Sequence, residues 1–110
     1  DGVIEDCIAN IKHVWERFGK ESMIVETGFE VNENEPEIME EGYRQFTKAI
    51  VLSRDETDGH CHGIFYWAPE ARPRPGQGTG GYRLGAFGSD DRPTKIMKAF
   101  VEQSEVMKNR

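Results

Sequence analysis

Apolar side chains recur along this chain with two different patterns, which predict helices alternating with short strands. Three stretches repeat apolar residues at steps of three and four, the spacing of an amphipathic helix. Two further stretches are short continuous apolar runs, typical of strands that are buried on both faces. The predicted elements are, in chain order, a helix over 3–18, a strand over 23–26, a helix from 36 to about 54, a strand over 62–67 and a helix that starts at 93.

Glycine and proline mark the predicted helix ends. Gly19 directly follows the first apolar stripe and can take the left-handed conformation that closes a helix. Pro36 and Pro93 are expected at the first helical position, where the missing proline N–H costs nothing. The predicted buried stripes are Ile4, Cys7, Ile8, Ile11, Val14, Trp15 and Phe18 in the first helix, Met39, Tyr43, Phe46, Ile50 and Val51 in the second, and Ile96, Met97, Phe100, Val101 and Met107 in the third.

The order helix–strand–helix–strand–helix predicts an α/β fold with a parallel sheet and helices packed outside it. Two strands are too few for an independent sheet, and each unit of about forty residues has the size of one (β/α) repeat of a barrel. The expected fold class is therefore the C-terminal part of a (β/α)8 TIM barrel, from about its sixth helix to its eighth. Residues 1–110 would be an incomplete catalytic domain, whose uncovered edges and apolar surface should make it self-associate.

Charge and length limit the possible partners. The 110 residues carry 14 Lys and Arg against 20 Asp and Glu, a net charge of −6, whereas nucleic acids and anionic membranes need a basic face. No apolar run approaches the ~20 residues of a membrane span. Because neither a signal peptide nor an initiator Met is present, a mature or excised piece is expected. Cys7 and Cys61 can form one disulfide at most, and whether they do stays open.

The first apolar run ends in a carboxylate, within Met23-Ile24-Val25-Glu26-Thr27-Gly28. A buried parallel strand that ends this way delivers an acid to the rim of an α/β barrel, where such enzymes do their chemistry. A retaining glycosidase needs one carboxylate as nucleophile and a second acid ~5 Å away. Glu26 is therefore a candidate nucleophile, with an ordinary salt bridge as the alternative. No other Glu or Asp ends an apolar strand, so the acid/base is expected outside these 110 residues.

The second apolar run, Gly63-Ile64-Phe65-Tyr66-Trp67, ends in an aromatic residue. A flat apolar ring with an N–H at a barrel rim suits the C–H face of a pyranose, so Trp67 is a candidate platform for a sugar. The alternative is that Trp67 is simply a core residue. A carboxylate and a tryptophan at the ends of successive strands together favour a sugar-cleaving site.

Three other motifs are given structural rather than functional interpretations. His60-Cys61-His62 offers two imidazoles on one strand face, but a zinc site needs three or four ligands, and nothing supplies the rest. Residues 76–81 match G-x-G-x-x-G without the strand and helix that a nucleotide site requires. The glutamate-rich loop 30–41 could bind calcium, yet it lacks the ligand spacing of known calcium loops. No cofactor is therefore expected, with calcium kept as the one open possibility.

The chain resembles the C-terminal part of glycoside hydrolase family 53, the arabinogalactan endo-β-1,4-galactanases. The order and spacing of several segments agree across nearly the whole chain, and the pairing of the segments around Glu26 and Trp67 is fairly specific. The matching segments are Gly19-Lys20 leading into residues 23–28, residues 63–67 with Pro69, and Leu84-Gly85-Ala86-Phe87 leading through Arg92-Pro93 to Ala99-Phe100.

This resemblance implies a retaining enzyme on a (β/α)8 barrel, with the acid/base on the fourth strand and the nucleophile on the seventh. It would make Glu26 the nucleophile, Trp67 part of the wall around the cleaved sugar, and Phe29 and Glu70 substrate-binding residues. The family often has an acidic residue directly after this tryptophan, where the present chain has Ala68, and Glu70 follows two places later.

The implied protein is a secreted, cell-surface or periplasmic hydrolase that degrades the β-1,4-galactan of pectic polysaccharides. Its substrate is a polysaccharide, with no nucleic-acid or membrane partner. Two other functions stay open. One is another retaining glycosidase of the same clan, such as a mannanase or cellulase relative. The other is a non-catalytic carbohydrate-binding module that uses Trp67 and has no need of Glu26.

Overall fold

A computed structural model describes residues 2–30, 32, 34–71 and 84–109. These residues form three helices and two strands in the predicted order. The elements are α1 (Val3–Phe18), β1 (Ser22–Ile24), α2 (Pro36–Asp55), β2 (Cys61–Ile64) and α3 (Lys95–Lys108). Among the described helices, none has the length and apolar character that crossing a membrane would require.

The two strands pair in parallel, as predicted, and β2 contains one extra residue. Ser22 lies opposite Cys61 and Ile24 opposite Ile64, so two steps along β1 match three along β2. Gly63 supplies the irregularity at φ 157°, a backbone conformation that side chains disfavour. Because side chains alternate along a strand, the extra residue decides which side chains after Gly63 face the helices.

The sheet consequently has one covered face and one exposed face. Ile24 and Ile64 are half-buried and Tyr66 is buried on the side of the helices. The residues next to them in the chain are 46–64% exposed. We call this second surface the outer face; it consists of Met23, Val25, Phe65 and Trp67.

The helix ends agree with the predicted signals in two cases out of three. Gly19 closes α1 at φ 62°, and its N–H donates to the Trp15 carbonyl. Pro36 occupies the start of α2. The prediction for Pro93 is wrong, because Thr94 is the N-cap of α3 and its hydroxyl accepts a hydrogen bond from the Ile96 N–H. A threonine oxygen can satisfy an unpaired N–H of the first turn, which proline cannot do.

An aromatic and aliphatic cluster between α2, α3 and the sheet forms the core. Phe46 is 1% exposed, and Ile96 and Ala99 are fully buried. The predicted stripes are correct at these inner positions but extend too far at both ends of the chain. Four predicted core residues are in fact exposed: Trp15, Phe18, Val101 and Met107. Small residues in α2 that the stripes left out are buried instead, namely Gly42, Ala49 and Ser53.

Polar contacts at the surface join the helices. The Tyr43 hydroxyl in α2 donates to Glu102 of α3 at 2.6 Å, and this bond, with burial, raises the pKa of Tyr43. Arg54 of α2 donates to Gln103 of α3 at 2.9 Å. Lys48 of α2 pairs with Glu5 of α1.

Both predicted strands were set too long at their carboxyl ends. The first was expected to end in Glu26, whereas β1 ends at Ile24; the second was expected to reach Trp67, whereas β2 ends at Ile64. Backbone pairing nevertheless continues in single bonds, since the Phe65 N–H donates to the Ile24 carbonyl at 2.8 Å. Glu26 and Trp67 therefore lie on loops just past the strands.

We expect the chain to self-associate in solution through Met23, Val25 and Phe65 of the outer face, next to the open strand edges. In the described part of the chain each strand has a hydrogen-bonded partner on one side only, and open edges beside exposed apolar side chains favour pairing with another chain. Sedimentation velocity over a range of concentrations should show species larger than the monomer. Changing Met23 and Phe65 together to Lys should restore the monomer, and a wild-type monomer at all concentrations would contradict the prediction.

Candidate active site

Glu26 and Trp67 meet at the carboxyl edge of the parallel strand pair. Glu26 lies two residues after the end of β1 and Trp67 three residues after the end of β2. Parallel strands end at the same edge of a sheet, so the two loops lie side by side, and the Trp67 N–H donates to the Thr27 carbonyl at 2.8 Å. Both side chains line one pocket of about 290 Å³, together with Thr27, Gly28 and Leu84.

Glu26 is an exposed residue that lines this pocket. In the parts of the chain that the structure describes, no ion pair joins Glu26 to a cation. The alternative of a strand-end salt bridge therefore has no support among these residues. A solvent-accessible carboxylate beside a pocket is free to approach a bound substrate.

Trp67 is 59% exposed in this structure and does not belong to the core of the described residues. Its neighbour Tyr66 is the buried member of the pair, at 8% exposure. The alternation set by the extra residue in β2 explains this, since it turns Tyr66 toward the helices and Trp67 toward the pocket. An exposed indole can stack on the apolar face of a sugar ring.

Phe29 and Glu70, the other two predicted substrate contacts, do not line this pocket. Phe29 is half-buried, and its ring lies 5.8 Å from the Phe46 ring. It lines a different cavity of about 380 Å³ under α1, which also reaches Glu26. Glu70 is exposed in the turn that follows Trp67.

Leu84 lines the pocket without having been predicted to do so. Its Cβ lies 3.3 Å from the place where a Cβ on Gly28 would be, so a larger residue at 28 would push Leu84 back by a few tenths of an ångström. Glycine is required at the adjacent position 85, because a Cβ there would collide with the Ala71 carbonyl. The Ala86 N–H then donates to the Pro69 carbonyl at 2.8 Å. These close approaches bring a segment distant in sequence back to the pocket.

A histidine pair lies at the opposite, amino end of the strands. The His60 ring stacks on Trp15 with centroids 3.6 Å apart. Glu21 contacts His62, and its carboxylate lies 4.0 Å from Nδ1 of His60. Among the described residues no group of three or more His, Cys, Asp or Glu is arranged to hold a metal ion. Cys7 and Cys61 are both free thiols.

Two predicted features lie wholly or partly outside the described residues. The glycine-rich segment 76–81 is one of them, and Glu33 of the glutamate-rich loop is another. The Glu35 side chain of that loop accepts a hydrogen bond from Asn32.

No protein-family model, curated protein or solved structure matches this chain significantly, so its function has to be inferred from its own residues.

Proposed function

We propose that this chain is part of a retaining glycosidase that degrades β-1,4-galactan, with Glu26 as its nucleophile. The observation that carries the proposal is the pocket that Glu26 and Trp67 both line at the carboxyl edge of parallel strands. Its volume of about 290 Å³ is at the lower end of small-molecule sites, which suits one sugar ring. The resemblance of the strand-end segments to the endo-β-1,4-galactanases suggests the substrate class.

The reaction assigns one role to each side chain. The Glu26 carboxylate attacks the anomeric carbon, and the bond from that carbon to the leaving oxygen breaks. An acid outside this chain gives its proton to the leaving sugar oxygen and then takes one from water. The water oxygen bonds to the anomeric carbon as the ester bond to Glu26 breaks, which releases the sugar and restores the carboxylate. Trp67 stacks on the C–H face of the sugar and fixes the anomeric carbon relative to the carboxylate.

Glu26 is the one carboxylate among the five described residues that line the pocket. A retaining glycosidase needs its acid ~5 Å from the nucleophile, chiefly to protonate a poor leaving group. The isolated chain is therefore expected to hydrolyse no galactan. A substrate with a good leaving group needs no such acid, which allows the nucleophile to be tested alone.

The decisive experiment is covalent trapping on the 110-residue chain with 2,4-dinitrophenyl 2-deoxy-2-fluoro-β-galactoside. Attack by Glu26 on the anomeric carbon expels dinitrophenolate and forms a glycosyl ester that the fluorine makes slow to hydrolyse. Tandem mass spectrometry of the digest should locate the ester on Glu26. An unlabelled chain after prolonged incubation, or a label on another carboxylate such as Glu21, would contradict the proposal.

Replacing Trp67 by Ala should weaken the binding of galacto-oligosaccharides about five- to tenfold, because the stacking surface is lost. Isothermal titration calorimetry measures this without relying on tryptophan fluorescence. Trp15→Ala is the matched control, since it removes an indole from the other end of the strands. If Trp67→Ala lowers only the melting temperature and leaves the dissociation constant unchanged, the ring has a structural role.

A non-catalytic carbohydrate-binding module is the second candidate. The observation that favours it is the combination of an exposed Trp67 with a single carboxylate in the described pocket lining. Such a module binds through the ring and needs no nucleophile. It predicts that the wild-type chain takes no covalent label and that Glu26→Gln binds galacto-oligosaccharides as tightly as the wild type.

A further inference from the structure

The loop that carries Glu26 is fixed to the segment after β2 at several points. The Ile24 carbonyl accepts from the Phe65 N–H, and the Thr27 carbonyl accepts from the Trp67 N–H, both at 2.8 Å. Glu26 lies between these two acceptors. Its backbone is therefore held on both sides by the same short segment that presents Trp67.

A third attachment comes from a side chain. The Tyr66 hydroxyl accepts a hydrogen bond from the Phe29 N–H at 3.1 Å and donates one to the Phe29 carbonyl at 3.3 Å. Phe29 is half-buried and lies outside both strands, so no strand ladder pairs its backbone groups. One hydroxyl thus binds both backbone groups of the residue directly after Gly28, the last loop residue that lines the pocket.

The Tyr66 ring is itself held firmly. It is 8% exposed and contacts Phe46 edge-on, with ring centroids 5.0 Å apart. Phe100 of α3 approaches it at 5.9 Å. A ring packed between two helices gives its hydroxyl a fixed place, so the position of the loop depends on the core rather than on the loop alone.

We propose that Tyr66 is a positioning residue for Glu26. The Tyr66 hydroxyl holds the Phe29 backbone, a contact that we call the clamp, and so fixes the Glu26 carboxylate opposite Trp67. The inference rests on the proposed function, because the position matters only if Glu26 attacks a sugar held by Trp67. A displacement of about 1 Å between reacting atoms costs roughly a hundredfold in rate, so a loop without its clamp should react slowly.

The test compares Tyr66→Phe with Tyr43→Phe in the 110-residue chain. Both variants remove one hydrogen-bonded hydroxyl and keep the ring, but the Tyr43 hydroxyl joins α2 to α3 away from the pocket. In Tyr66→Phe the Phe29 amide should exchange its hydrogen about tenfold faster. Labelling of Glu26 by the fluorogalactoside should also slow about tenfold or more. Tyr43→Phe should change neither rate.

Each outcome separates the clamp from the chemistry. Unchanged exchange at Phe29 overturns the clamp, and faster exchange with unchanged labelling overturns its positioning role. If the wild-type chain takes no label, the glycosidase proposal fails and the positioning role fails with it, while the exchange of Phe29 still decides whether the clamp exists. If Tyr66→Phe does not fold, the wild-type chain provides the test. Its Phe29 amide should then exchange about tenfold more slowly than in an unfolded peptide, and equal exchange would overturn the clamp.

Discussion

Glu26→Gln is expected to abolish galactan hydrolysis in a longer protein that supplies the proposed acid. The amide keeps the shape of the carboxylate but cannot form the glycosyl ester, so turnover should fall about 10⁴-fold or more. Release of reducing sugar from β-1,4-galactan measures the loss. In the 110-residue chain the same substitution should prevent covalent labelling by the fluorogalactoside. Near-normal hydrolysis by Glu26→Gln would show that another residue is the nucleophile.

Two companion variants make this result specific. Glu26→Ala opens space at the anomeric carbon, so added azide should attack there and partly restore turnover of an activated galactoside, with galactosyl azide as the product. Glu30→Gln is the matched control, because Glu30 is an exposed glutamate four residues away that does not line the pocket. It should hydrolyse galactan at close to the wild-type rate, and a comparable loss there would indicate a general disturbance of the loop.

The elements of this fold are predictable from the sequence because they depend on local chemistry. Apolar residues that repeat at steps of three and four identify α1 and α2. Gly19 marks the end of α1 and Pro36 the start of α2, because each favours the backbone conformation found there. The strand ends are less predictable, because the apolar runs continue past the residues of β1 and β2 that are paired by regular backbone hydrogen bonds. At the start of α3 the sequence offers both Pro93 and Thr94. Thr94 is the N-cap, because its hydroxyl accepts a hydrogen bond from the first turn.

The pocket is predictable only in part. Glu26 and Trp67 could be paired from sequence, since parallel strands bring their carboxyl ends together. Leu84 and Tyr66 could not be assigned, because their roles depend on contacts with residues far away in the chain. Leu84 reaches the pocket through the space that Gly28 leaves. Tyr66 reaches Phe29 because one extra residue in β2 reverses the alternation. No local pattern encodes either contact.

Phe46→Ala is expected to destabilise the chain by about 3–5 kcal/mol, the usual cost of removing a fully buried phenylalanine. Phe46 is 1% exposed, and its ring lies 4.9 Å from that of Phe100 and 5.0 Å from that of Tyr66. Domains of this size are stable by only about 5–15 kcal/mol in total, so the variant should unfold at a much lower urea concentration. Equilibrium urea unfolding, followed by circular dichroism, measures the change.

The same substitution should also loosen the pocket before the chain unfolds. Phe46 supports the Tyr66 ring, and the Tyr66 hydroxyl holds the Phe29 backbone, so a cavity at Phe46 removes the support beneath the loop that carries Glu26. In buffer without urea the Phe29 amide should therefore exchange faster than in the wild type. Phe18→Ala is the matched control, because this ring is 62% exposed and its loss should cost no more than about 0.5 kcal/mol. Equal destabilisation by the two variants would mean that the cluster around Phe46 is not the core that supports the site.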